Sequence, residues 1–190
     1  MSQSQLLIHT IRALEKAGCE YMLTGSLVSS MQGEPRATHD IDIVIEIAQH
    51  GIEVFLNEFS PDDYYYDLES AKTALLQKGM FNILSTATGD KVDIWALTDS
   101  AFDQARFSRR QSVALFGLTV RVSSPEDTIL MKLLWAQLSG GSEKQLFDAA
   151  RVYELQLDVL DQDYIKDWVV RLKLEEQFSQ MHRFIEPEER

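Results

Sequence analysis

Asp40 and Asp42, one residue apart in the run Asp40-Ile41-Asp42-Ile43-Val44-Ile45, are the side chains in this sequence best placed to do chemistry. Side chains two apart on a strand share a face. The two carboxylates therefore sit together, while Ile41, Ile43 and Ile45 turn into a core. Like charges this close repel and raise each other's pKa unless a cation lies between them. A divalent ion meets that need, and an all-oxygen donor set suits Mg²⁺. Upstream, Tyr21 to Thr24 reads as a strand and Gly25-Ser26 as a turn opening onto a short helix. A helix N-terminus offers unpaired N–H groups and the positive end of its dipole, which together bind anions. Metal and phosphate side by side mean nucleotide chemistry.

The constellation resembles the signature of the nucleotidyltransferase superfamily with the polymerase-beta-like fold. Its parts are Gly25-Ser26, a helix and loop, then Asp40-Ile41-Asp42-Ile43. Asp93, alternating with apolar residues in Lys91-Val92-Asp93-Ile94-Trp95, is the best candidate for the superfamily's third carboxylate. Arg36-Ala37-Thr38 ahead of the acid pair, and Ser124-Pro125-Glu126-Asp127 leading a helix with Lys132, extend the likeness toward the abortive-infection type and minimal nucleotidyltransferases of prokaryotes.

The resemblance implies an α+β fold, with a mixed β-sheet flanked by helices and a C-terminal helical segment. It implies that Gly25 and Ser26 hold the triphosphate, with Arg36, Thr38 and Lys132 also on the nucleotide. Asp40, Asp42 and Asp93 would bind two Mg²⁺ ions, with Asp93 on the acceptor side and able to take its proton. The implied reaction is in-line attack on the α-phosphorus of a nucleoside triphosphate, releasing pyrophosphate. The acceptor would be an RNA end such as that of a tRNA, a protein, or a small hydroxyl compound such as an aminoglycoside. A toxin–antitoxin or phage-defence setting, with a cognate antitoxin or toxin partner, follows from the same likeness. The competing expectation is a nucleotide-binding or partner-regulating module on this fold, without turnover.

Composition narrows the choice. The chain has 190 residues, a net charge of −12 and one cysteine, Cys19. A protein that wraps long nucleic acid presents a basic face, and here only Arg106, Arg109, Arg110, Arg121 and Lys132 suggest a local basic patch. One cysteine forms no internal disulfide and fits a reducing compartment. No apolar run approaches a membrane span, and Met1 to Gln5 is polar, so the cytoplasm is expected.

The elements that must position the acids follow from periodicity and punctuation. Leu7, Ile11, Leu14 and Ala17 predict a helix stopped by Gly18. Helices are expected over 49–59 and 69–78, with a short strand at Tyr64-Tyr65-Tyr66 between them. Strands over 80–86 and 91–97 form a hairpin, a polar helix follows from Asp99 to Arg110, and 112–116 and 118–122 pair around Gly117. Ser124-Pro125-Glu126-Asp127 is a helix start. On that helix Ile129, Leu130, Leu133, Leu134 and Leu138 make an apolar stripe from which Lys132 is offset, as a solvated lysine would be. Ser139-Gly140-Gly141 reads as a linker, Ser142-Glu143-Lys144-Gln145 as a capping box, and Asp161 as a further cap. The expected organisation is a core domain over 1–139 and a helical subdomain over 142–185, with 186–190 fraying.

Overall fold

The computed structural model describes residues 2–185; the tail expected to fray, 186–190, lies outside them. In chain order the elements are α1 (Gln3–Lys16), β1 (Glu20–Thr24), α2 (Gly25–Gln32), β2 (Asp40–Glu46), α3 (Gln49–Leu56), β3 (Tyr64–Tyr65), α4 (Leu68–Gln77), β4 (Met80–Ser85) and β5 (Lys91–Ala96). Then come α5 (Ala101–Ser108), β6 (Gln111–Leu115), β7 (Leu118–Val122), α6 (Pro125–Leu138), α7 (Glu143–Leu155), α8 (Gln162–Leu172) and α9 (Glu175–Met181). Short 3₁₀ turns follow α7 and α9.

The chain folds as two compact units, Met1–Leu27 with Ala37–Val122, and Val28–Arg36 with Ser123–Arg190. In the first, the strands form one sheet in the order β3-β4-β5-β2-β1-β7-β6. It is mixed, as expected: β2 runs parallel to β5 and antiparallel to β1, and β1 is parallel to β7. The alternation of β2 is realised. Ile41, Ile43 and Ile45 are fully buried while Asp40 is exposed and Asp42 half-buried. On the acidic face, Met22, Val44, Leu97 and Phe107 of α5 form an apolar cluster against which Trp95 packs. Half of this face is therefore core and half is polar, and the boundary falls between Val44 and Asp42.

At the sheet's edge, the tyrosine triplet supplies a strand of only two residues. Tyr64 is buried, stacked on His9 and edge-on to Phe59, so packing rather than base stacking accounts for it. Cys19 is buried where β1 begins, and burial pushes its thiol pKa up to about 12. The thiolate is the reactive form. Cys19 should therefore resist alkylation at neutral pH in the native protein and react only after denaturation, as mass spectrometry of iodoacetamide-treated samples would record.

The second unit is built around α6. This helix is buried from Pro125 to Leu130 and again at Lys132, Leu133 and Ala136, with α7, α8 and α9 packed upon it. A helix hidden on nearly every side needs neighbours all round, and α6 accordingly belongs with the C-terminal helices rather than with the sheet. The three capping expectations fared differently. Ser124 and Asp161 cap α6 and α8 by accepting from Asp127 N and Tyr164 N at 3.2 and 3.0 Å. Ser142 makes no side-chain cap bond to α7. A true capping box occurs at α1 instead, where Ser2 and Gln5 bond reciprocally.

Candidate active site

The site grows from strand register. In the parallel pair β2–β5, Asp42 lies opposite Asp93 and Asp40 opposite Lys91. Neighbouring strands are about 4.8 Å apart and register partners share a face. Asp42 and Asp93 are therefore adjacent across the ladder, with Asp40 one pleat along. On the other side of β2, Thr24 is the partner of Asp42. This places the end of β1 and the start of α2 against the acids.

Gly25 makes that junction possible. Its φ of 71° lies in the left-handed region, which glycine enters at little cost. Its position is also crowded: a Cβ there would lie 2.7 Å from Asp42 Cγ and nearer still to Oδ2. The strand-to-helix turn thus brings the N-terminus of α2 into contact with the Asp42 carboxylate, the favourable end of the dipole for a negative charge. Trp95 fixes the same carboxylate from the other side. Its ring packs on the apolar cluster and its Nε1–H donates to Asp42 Oδ1 at 3.4 Å. Ahead of Asp40, Thr38 Oγ1 donates to the Asp40 carbonyl at 3.4 Å, and Gln3 of α1 donates to the Thr38 carbonyl at 2.7 Å. These bonds tie the incoming loop to the strand.

Asp93 is 7% exposed, and its Oδ1 is buried with no hydrogen-bond partner. Its Oδ2 accepts from the Lys91 ammonium at 2.8 Å, and the same ammonium lies 3.8 Å from Asp40 Oδ1. The bond to Asp93 raises the Lys91 pKa above its ordinary value, against the opposing effect of burial. Lys91 is the site residue that sequence reasoning missed. A lysine opening a strand reads as a surface residue until the parallel register puts it beside Asp40.

Among the described residues no group of three or more His, Cys, Asp or Glu side chains is arranged to hold a metal ion. Asp93 and Asp40 instead share the Lys91 ammonium. Their chemistry still fits a hard divalent cation. The donors are all carboxylate oxygens, and a buried oxygen without a partner is costly unless something binds it. Asp40, Asp42 and Asp93 are the residues that would hold Mg²⁺.

Arg36 and Lys132 meet inside the second unit. Arg36 donates through Nε to Asp148 Oδ1 at 3.1 Å and through Nη2 to Oδ2 at 2.7 Å. Lys132, far from being a solvated residue offset from an apolar stripe, is 4% exposed and donates to the same Oδ2 at 2.8 Å. Burial alone would push the Asp148 carboxyl up, but the hydrogen bonds from Arg36 and Lys132 outweigh it and hold it below the usual carboxylate range. Asp148 was missed as well. Its signal was a charge set among Leu146, Ala149 and Ala150 on the buried side of α7.

Several residues suggested for a basic patch are buried or paired. Lys132 is buried, Arg106 is buried and bonded to Asp103, and Arg110 is paired with Glu20. An exposed Arg121 donates to Ser112 at 2.6 Å.

No family model matches the chain, and no curated protein matches it in sequence. Solved structures do. The antibiotic-resistance factor ANT(2'')-Ia in complex with adenylyl-2''-tobramycin superimposes with a TM-score of 0.62 at 14% identity, over 91% of this chain and 98% of that one. The solution structure of ANT(2'')-Ia gives 0.55 at 12% identity, over 95% and 96%. An antigenic nucleotidyltransferase-like protein from Paracoccidioides brasiliensis gives 0.54 at 16%, over 94% and 92%. At such identities the likeness is one of architecture: this chain has the fold of the nucleotidyltransferases.

Proposed function

We propose that the protein is a Mg²⁺-dependent nucleotidyltransferase that moves a nucleoside monophosphate from a nucleoside triphosphate to an acceptor hydroxyl. The observation that carries this reading is the register match of Asp42 with Asp93 directly below the Gly25 turn. In it, two carboxylates from separate strands and a helix N-terminus share one spot. Gly25 and Ser26, with the first amides of α2, receive the β- and γ-phosphates. Asp93 accepts the proton of the attacking hydroxyl as its oxygen closes on the α-phosphorus and pyrophosphate leaves. Bound Mg²⁺ supplies charge neutralisation on the phosphates and on the attacking oxygen. For Arg36 and Lys132, the shared bond to Asp148 favours a structural role over a nucleotide contact.

The acidic balance, a net charge of −12, favours a small hydroxyl compound or a protein over a long nucleic acid as acceptor. A tRNA end, which demands little basic surface, stays within the proposal, as does a toxin–antitoxin or defence setting. The test is transfer of label from each of the four triphosphates, with Mg²⁺, to RNA ends, proteins and aminoglycosides. Asp93→Asn should lower the transfer rate by at least about 10²-fold, the contribution of a positioned general base. Wild type and Asp93→Asn labelling every acceptor equally poorly would remove the catalytic reading.

A second reading is a nucleotide-holding or partner-regulating module without turnover. The ammonium lodged among the acids motivates it. It is the better reading if triphosphates bind by calorimetry, with Asp42→Asn weakening them, while no pyrophosphate is released.

A further inference from the structure

Lys91 occupies a distinctive place. It is the β5 register partner of Asp40, and its ammonium bridges toward two of the three acids, 2.8 Å from Asp93 and 3.8 Å from Asp40. The side chain is about one third exposed, whereas that of Asp93 is 10% exposed. The carboxylate is held in the sheet while the cation that neutralises it has a path to solvent. The remaining Asp93 oxygen is buried and unpartnered. A single flexible cation thus satisfies half of a carboxylate and leaves the other half waiting.

We propose that Lys91 is a tethered counter-ion that holds Asp93 and Asp40 together when no divalent ion is bound, and that metal loading on the Asp93 side proceeds by exchange against its ammonium. This rests on the metal-dependent reading given above. The exchange is one of cation for cation. The lysine stays protonated and swings toward solvent, and the carboxylate oxygens it leaves take the incoming ion. Strongly hydrated Mg²⁺ dehydrates reluctantly, so a competing ammonium sets a threshold. The ion enters most readily together with a triphosphate that adds its own negative charge. Lys91 is in this sense a positioning residue, acting on the reaction through the acids rather than on the substrate.

The experiment is calorimetric titration of the full chain with MnCl₂ alone, comparing wild type with Lys91→Met, Lys91→Gln and Lys91→Arg. Removing a like charge beside a partly screened ligand set should tighten Mn²⁺ binding by at least about tenfold in the Met and Gln variants. The Arg variant, which keeps the charge, should bind no more tightly than wild type. Thermal melting supplies the second readout. The Met and Gln variants should melt lower than wild type without metal and gain more from added Mn²⁺. Having both guards against one of them failing to fold. If wild type binds Mn²⁺ and neither neutral variant binds it more tightly, the tethered-cation role is overturned while the proposed reaction stands. If none of the proteins binds Mn²⁺, either alone or in a repeat titration with a non-hydrolysable triphosphate present, both are overturned.

Discussion

Asp148→Ala should destabilise the second unit by about 3–5 kcal/mol, the usual consequence of removing one member of a buried ion pair. The expectation follows from the arrangement around one carboxylate. Lys132 and Asp148 have side chains 5% and 6% exposed and meet at 2.8 Å, with Arg36 bonded to the same group. Taking both charges out of water is expensive, and their mutual satisfaction offsets it. With Asp148 gone, the Lys132 ammonium has lost that partner on a helix buried nearly all round. The double variant Lys132→Met/Asp148→Leu should recover part of the loss, because well-packed apolar replacement of a buried pair is often neutral, while Arg36, 28% exposed, loses its bonds to Asp148. Urea denaturation followed by tryptophan fluorescence suits the measurement, since Trp135 and Trp168 both lie in the second unit. A loss below about 1 kcal/mol for Asp148→Ala, the level of an exposed pair, would contradict the structural role.

The same carboxylate predicts a pH signature. The folded Asp148 pKa is depressed relative to its unfolded value, which is about 3.9. A depressed acid contributes stability that is fully present above the unfolded pKa and is lost as pH falls through the folded one. The stability gap between wild type and Asp148→Asn should therefore be constant above about pH 5 and narrow progressively below about pH 4. A gap that widens on acidification would reverse the sign and refute the assignment.

These expectations separate what local pattern encodes from what it does not. The alternation of β2 and the Gly-Ser turn after β1 were legible because period and punctuation are local properties. Asp93 was legible too, as a charge in the middle of an apolar strand. Lys91 was not, because its meaning depends on parallel pairing between residues 51 apart in sequence, Asp40 with Lys91 and Asp42 with Asp93. Periodicity misplaced Lys132 for a different reason. An apolar stripe implies a solvent side, and α6 has little before its last turn, where Trp135 and Leu138 are exposed. Its lysine is neutralised by Asp148 on another helix, which helical spacing within α6 cannot register. The boundary at the Ser139-Gly140-Gly141 linker was inferred from composition. The helix before it joined the second unit because its burial demands the partners that α7, α8 and α9 supply. The capping residues show the finest grain. Ser142 and Ser124 both look like caps in sequence, yet only Ser124 makes the bond.

Gly25→Ala should cost nucleotide transfer at least about 10²-fold, the order expected when a reacting group is displaced by about 1 Å. Two effects act at this residue, and they can be separated. The first is backbone strain: an L-residue at a φ of 71° pays roughly 1–2 kcal/mol. The second is collision, since the new methyl would meet the Asp42 carboxylate and push it out of register with Asp93. Gly89, in the hairpin before β5, isolates the first effect. Its φ is 74°, and a Cβ there would meet nothing within 4 Å. Gly89→Ala should therefore lose comparable stability while keeping transfer activity and Mg²⁺-dependent triphosphate binding near wild type. Gly25→Ala should lose both, and should melt no higher than Gly89→Ala because the collision adds to the strain. Because Trp95 and the α2 N-terminus hold Asp42 from two sides, the carboxylate has no equivalent position to move into. Should Gly25→Ala match Gly89→Ala in binding and in transfer, contact between this turn and Asp42 would have no part in placing the nucleotide.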